Sequence, residues 1–204
     1  MAFCSLRSPI LANHFLPVNW ALCTKDINLS LAQNFRMMAV YNQRMNTQLI
    51  TVCEQLEPEQ LQQETNSFFS TVMCYWNHIL FGDLIMLSRL VANDIVNIEP
   101  HVLQKIPAVK SVNDRFVNNL NELTTLRTLV DEIYLKITQD LTVESYNGII
   151  KYTTSSGENL EKNIGEFFQH IFNHQTHHRG QLTCILSQFG LDFGCTDLPI
   201  IVSN

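Results

Sequence analysis

Apolar residues recur at helical spacing over four stretches of this chain. From Asp26 to Leu56, the positions Ile27, Leu31, Phe35, Met38, Tyr41, Met45, Leu49 and Leu56 follow at intervals of three, four and seven. That is the period that lines one face of an α-helix. Pro58 marks the next turn or helix start. A second stripe (Phe68, Val72, Tyr75, Trp76, Ile79, Met86, Leu90) predicts a helix over 67–92, with Ser67 as its N-cap. A third (Leu120, Leu123, Leu126, Leu129, Val130, Ile133, Ile137) predicts one over 112–141. The fourth covers 159–189 and stops at Gly190, a residue suited to a left-handed helix C-cap.

The intervening segments read differently. Residues 93–111 hold Pro100 and Pro107 and predict a long connection. Residues 142–157 are rich in Thr, Ser and Tyr and contain Gly148 and Gly157. Within them, 148–154 is too short and too β-branched for a helix and predicts a small hairpin or extended loop. Residues 191–204 carry Pro199 and read as coil. Residues 1–25 carry Pro9 and Pro17, show no sustained period and read as an irregular N-terminal extension. The expectation is an extension over 1–25 followed by an all-α four-helix bundle over 26–204, with no internal repeat.

Composition narrows the roles such a bundle can have. A chain of 204 residues that is 46% hydrophobic can bury a sizeable core without disulfides or a structural metal. Its net charge is -6, and no run of Lys or Arg occurs. That argues against a nucleic-acid binder, which needs a concentrated basic face, and against a membrane-surface protein. No apolar run reaches the roughly 20 residues of a membrane-spanning helix. Pro17 interrupts the apolar 10–23 region, Pro9 directly precedes it and Arg7 is the only early positive charge, which together make a poor signal sequence. Six cysteines (Cys4, Cys23, Cys53, Cys74, Cys184, Cys195) are scattered without a CxxC pair. They read as reduced thiols of a cytoplasmic protein, most of them small buried hydrophobes.

The histidines carry the chemistry. Four of the seven, His170, His174, His177 and His178, fall within nine residues of the fourth helix. On a wheel of ~100° per residue centred on Ile171, the apolar stripe extends roughly 60° to either side. His178 falls at about -20° and His174 at about -60°, inside that stripe, while His170 and His177 lie near its edge. Two imidazoles one turn apart, with Cβ atoms ~6 Å apart, suit two ligands of one ion. They suit an apolar core poorly, because each ring carries a polar nitrogen that needs a partner. A third ligand must come from another helix, and His78, mid-way along the second helix at the stripe edge, is the best donor. The spacing alone leaves two readings open: a metal site, or a core His pair hydrogen-bonded to backbone or carboxylates. Gln175 stands where a zincin would carry the Glu of HExxH, which argues against a zincin protease. Asp83 falls near +40° on the second stripe, where a carboxylate can orient a ligand imidazole, serve as a catalytic base, or pair with an arginine.

The run from Phe168 to Gln181, FQHIFNHQTHHRGQ, closely resembles the signature of the DinB family, the damage-inducible YfiT-like proteins unrelated to the DNA polymerase of similar name. Leu186 to Gly190, Thr196 to Pro199, Tyr41 and Asn42 with Asn46, and Asn77 to Leu80 with Asp83 fit in the same order. The resemblance covers about 26–200. It implies a four-helix bundle, often a homodimer, with a divalent metal, zinc or nickel, on one histidine of the second helix and two of an HxxxH on the fourth. Carried over, these are His78, His174 and His178. The family includes enzymes that use low-molecular-weight thiols, so the resemblance points to a metal-dependent transferase or hydrolase, with thiol S-transfer to a small electrophile as the candidate reaction and such a thiol as cosubstrate. The alternative is a non-catalytic metal-binding bundle with a stress-related or interaction role; a third reading is an all-α protein without a metal.

Overall fold

The structure is a computed structural model and describes residues 30–154 and 156–202. The expected N-terminal extension, with Cys4, Cys23 and Ile27, lies outside the described residues. In chain order the elements are α1 (Leu31–Cys53), α2 (Pro58–Leu61), α3 (Val72–Ala92), α4 (Pro100–Leu103), α5 (Leu120–Asp140), α6 (Val143–Tyr146), β1 (Ile149–Thr153), β2 (Asn159–Asn163), α7 (Ile164–Gln188) and α8 (Leu198–Ile201).

The four long helices α1, α3, α5 and α7 correspond to the four apolar stripes and form the expected all-α bundle. Helix α1 packs on α5 and α7, and α3 packs on the same two, so the order around the bundle is α1, α5, α3, α7. Phe35, Leu49, Trp76, Ile79, Val130, Phe168, Phe172 and Leu182 fill the centre, all almost fully buried. Phe35 joins α1 to α7 through rings centred 5.7 Å from Phe168 and 6.0 Å from Phe172.

Each of the four long helices begins where a polar side chain satisfies its free N–H groups. Ser30 and Gln33 form a reciprocal box at α1, Asn119 caps α5, and Asn163 accepts from Gly165 and Glu166 at α7. Helix α3 starts at Thr71, which accepts from the Cys74 N–H at 3.1 Å, and not at Ser67 as expected. Ser67 instead donates to the Phe69 carbonyl in the preceding loop. Phe68, placed on the stripe by its spacing, is accordingly outside the helix and 85% exposed. Val112 is likewise exposed, because α5 begins eight residues later than its apolar neighbours suggest.

Residues 149–153 form a strand of the expected hairpin, and its partner is 159–163, a stretch that the apolar period places in the fourth helix. Asn159 to Asn163 is polar apart from Leu160 and lies largely at the surface, so its pattern is not distinguished from a polar first turn of a helix. The hairpin is tied to the end of α3: Asn93 donates to the Lys151 carbonyl and accepts from its N–H, at 2.9 and 3.1 Å. Short helices α4, α6 and α8 interrupt segments read as connection, loop and coil. Gly190 takes the left-handed conformation, with φ +79°. The Leu191 N–H reaches back to the Leu186 carbonyl, closing α7 as its glycine predicts.

Cys53 is buried, with its thiol pushed up to about 11 by burial. Cys184 and Cys195 are exposed, contrary to the expected burial, and Cys53, Cys74, Cys184 and Cys195 are all free. Among the described residues no helix is long and apolar enough to cross a membrane.

Candidate metal centre

Helices α3 and α7 meet side by side, and their facing surfaces carry the histidines. The structure brings His78, His174 and His178 together with their Nε2 atoms converging. His78 Nε2 lies 3.1 Å from His178 Nε2 and 3.3 Å from His174 Nε2. One ligand-capable atom from each of the three lies within 4.8 Å of the others. His178 is buried and the other two are half-buried. His170 and His177, placed at the edge of the stripe, are exposed.

Three convergent ring nitrogens need something between them. One N–H on His78 can satisfy one neighbour and leaves the other facing a lone pair or a second proton. A cation satisfies all three. For metal–nitrogen bonds of about 2.05 Å in tetrahedral geometry, adjacent ligand nitrogens stand about 3.3 Å apart. The two observed separations match that edge.

Protonation and tautomer also fit a metal. Burial first, then the neighbouring rings His178 and His177, pull His78 down to about 4. Burial, then His178 and His78, pulls His174 down to about 3. Burial lowers His178 as well, against a hydrogen bond that raises it. The rings are therefore neutral at physiological pH and present lone pairs. His178 Nδ1 donates to Gln181 Oε1 at 2.8 Å, which fixes the tautomer that leaves Nε2 free. His78 Nδ1 is buried without a hydrogen-bond partner.

The walls are aromatic. Phe69 stacks on His78 with ring centroids 4.2 Å apart, and Phe81 lies on the same ring at 6.0 Å. On the α7 side of α3, His174 lines a cavity of about 500 Å³ that runs along α3 toward the hairpin.

Asp83 has no triad ring nitrogen among its partners. It is 1% exposed and belongs to a polar network through the bundle core. Arg127 Nη1 stands 2.5 Å from Asp83 Oδ2, and Arg127 Nη2 stands 3.1 Å from Asp131 Oδ1. Gln175, between the two α7 histidines, donates to Asp83 and to the Ile79 carbonyl. Asn46 donates to Asp131, and Arg179 donates to Asn42, Asn46 and Gln175. Two carboxyl groups and two guanidiniums thus share one buried network, in which burial raises both Asp83 and Asp131 against the opposing pull of Arg127. Burial alone would lower Arg127, but Asp131 and Asp83 outweigh it and raise it. Burial draws Arg179 down to about 10, which leaves it charged.

Sequence reasoning missed Arg127 and Asp131. The signal was present, since they sit one turn apart between Leu123, Val130 and Tyr134 on the buried face of α5. The wheel that admits His174 also puts Gln175 at about +40°, inside the apolar stripe.

The comparisons with known proteins agree with this architecture. The DinB family model matches residues 31–202. The chain is 24% identical over 160 residues to Protein DinB of Bacillus subtilis (strain 168), an alignment covering 77% of this chain and 87% of that protein. With the family model spanning all four helices and the histidine-bearing faces of α3 and α7, this chain belongs to the DinB family.

Proposed function

We propose that this protein is a divalent-metal-dependent enzyme that joins a small thiol to a small electrophile, with zinc or nickel held by His78, His174 and His178. The convergence of three neutral imidazole Nε2 atoms at 3.1 and 3.3 Å supports this reading most. Three protein ligands leave one position for an exchangeable ligand, the arrangement of catalytic rather than structural zinc. A divalent metal held by these three rings would supply the acidity that readies a thiol or water for attack at neutral pH.

The chain's own residues divide the remaining work. Gln181 holds the His178 tautomer, and Phe69 and Phe81 shield His78 from water. Asp83 acts as a positioning residue: with Arg127 it anchors Gln175 and so fixes the rotation of α7 that aims both α7 histidines at α3. The reading carries with it a cytoplasmic homodimer that acts on small molecules, in keeping with an acidic chain without a basic run.

The test is metal content by mass spectrometry on protein purified without a His tag, beside a His174→Ala, His178→Ala variant. The expected result is near one metal per chain in the wild type, lost in the variant, and consumption of thiol and electrophile together by the loaded protein. No metal taken up on adding zinc or nickel would overturn the reading. Metal uptake without thiol turnover would leave a non-catalytic metal-binding bundle.

A further inference from the structure

We propose that the cavity beside His174 is an anion-binding subsite, in which Arg89, with Lys110 and His170, receives the carboxylate or phosphate of a small ligand whose far end reaches the three-histidine centre. The anion site stands on its own observations; the reach to the histidines rests on the function proposed above.

The cavity, about 500 Å³, is of small-molecule size. It lies between α3, α7, the hairpin and the 109–112 segment, and Arg89, Lys110, Ser111, Thr153, His170 and His174 are on its walls. The chain as a whole is acidic, yet this lining carries two cations and one carboxylate, Asp83. Asp83 is already held by Arg127 and Gln175. Lys110 is exposed beside Asp114, whose carboxylate is occupied by the Lys110 and Ser111 N–H groups at 2.6 and 2.9 Å.

Arg89 is the distinctive member. Its Cζ sits 4.3 Å over the Tyr152 ring, and its Nη2 donates to the Thr153 carbonyl at 3.2 Å. These contacts, with Nη1 against Met86 Sδ, hold a half-buried guanidinium in one place. Among the described residues it has no carboxylate partner, and its Nε donates to no protein acceptor. Arg127, the fully buried arginine of the same bundle, has two carboxylates. A fixed guanidinium drawn from water without a counter-ion, facing a cavity, is what a carboxylate or phosphate recognises through paired N–H donors.

The spacing sets the ligand's length. Gly82 packs against the His174 ring, and Arg89 lies two turns further along α3, about 10 Å. His170 precedes His174 by one turn, with ring centroids 6.0 Å apart. A ligand of about 10 Å or less joins the two ends.

The first experiment needs no metal. Glutarate, inorganic phosphate and neutral glutaramide are titrated by calorimetry into chelator-treated wild type and the Arg89→Gln and Lys110→Gln variants, each checked for folding by circular dichroism. We expect one of the two anions, and not the amide, to bind wild type, with about a tenfold or greater loss in Arg89→Gln and a smaller one in Lys110→Gln. Which anion binds distinguishes a carboxylate from a phosphate ligand. Binding of neither anion, or equal binding by Arg89→Gln, would overturn the subsite.

The second experiment titrates cobalt-loaded protein with ω-mercaptocarboxylates of increasing length and the matching mercaptoalcohols, following the thiolate–cobalt absorption. We expect the acids to bind about tenfold tighter at one preferred length, a preference lost in Arg89→Gln. Failure to take up cobalt would count against the histidine centre and leave the first experiment standing. Cobalt uptake without an acid preference would overturn the reach between the two sites.

Discussion

Gly82 on α3 lies directly against the imidazole of His174 on α7: a Cβ built on Gly82 would stand 2.6 Å from His174 Nδ1. No real side chain tolerates that approach, and the nearest atoms belong to a ring that is itself one of the three convergent donors. The glycine is therefore the reason α7 can bring His174 close enough to meet His78, one turn earlier on α3. Gly82→Ala should displace the His174 ring and weaken zinc binding about 10- to 100-fold, the range for disturbing a ligand's support. The helix should not suffer, because alanine in a helix interior is favoured over glycine by about 1 kcal/mol. Competition with a chromophoric chelator, beside a thermal melt of the metal-free protein, reads both. Unchanged affinity would mean that the ring position does not govern the site.

Gln181 supplies the acceptor that keeps the His178 proton on Nδ1. Gln181→Leu removes it while keeping a similar volume at a half-buried position of α7. We expect metal affinity to fall by about 10-fold or more. Gln181→Glu should restore or exceed wild-type affinity, since a carboxylate accepts the same proton more strongly. The chelator competition checks the order of the three proteins.

The extent to which this was legible in the sequence follows from the physics of each element. The four stripes predict four helices because burial of one face is a local, periodic demand, and Gly190 marks the end of α7 because its backbone conformation excludes most other residues. The bounds failed where a local bond competes with the period, as at Ser67, or where strand and helix share a polar pattern, as at 159–163. His174 and His178 stood out because two imidazoles one turn apart on an apolar face demand a partner. That His78 meets them depends on how two helices pack, and on Gly82, neither of which a wheel contains. Asp83 is legible on its stripe, but its partners are not: Arg127 lies on α5 and Gln175 on α7, and only the bundle brings them to it.

Arg127 holds two buried carboxylates at once. Removing one partner of a buried ion pair leaves an uncompensated charge, which costs about 3–5 kcal/mol. Arg127→Leu should therefore lower folding stability by about that amount, measured by urea unfolding. Arg127→Lys should recover only part of it, because one ammonium cannot reproduce the two-pronged contact to Asp83 and Asp131. A loss below about 1 kcal/mol in the leucine variant would show that water reaches this network.

The triad also sets a pH dependence in the metal-free protein. His78 titrates at about 4 and His174 at about 3 when folded, against 6.5 for a free ring. Between these values the unfolded chain carries protons that the folded one lacks. Stability from these rings is thus complete above pH 6.5, falls as the pH drops through 6.5, and levels off below about 3. Asp131 acts in the opposite sense. Burial, only partly offset by Arg127, raises its carboxyl to about 6, so between 6 and 3.8 it binds its proton preferentially in the folded state. A His78→Asn, His174→Asn variant keeps Asp131 and loses the two rings, so subtracting its profile isolates them. Urea unfolding of chelator-treated wild type and variant from pH 7.5 to 4.5 should give a wild-type stability that falls more steeply with acid. Parallel profiles would mean that the rings already meet water as freely as in the unfolded chain, and the closeness of the three nitrogens would then have no electrostatic consequence.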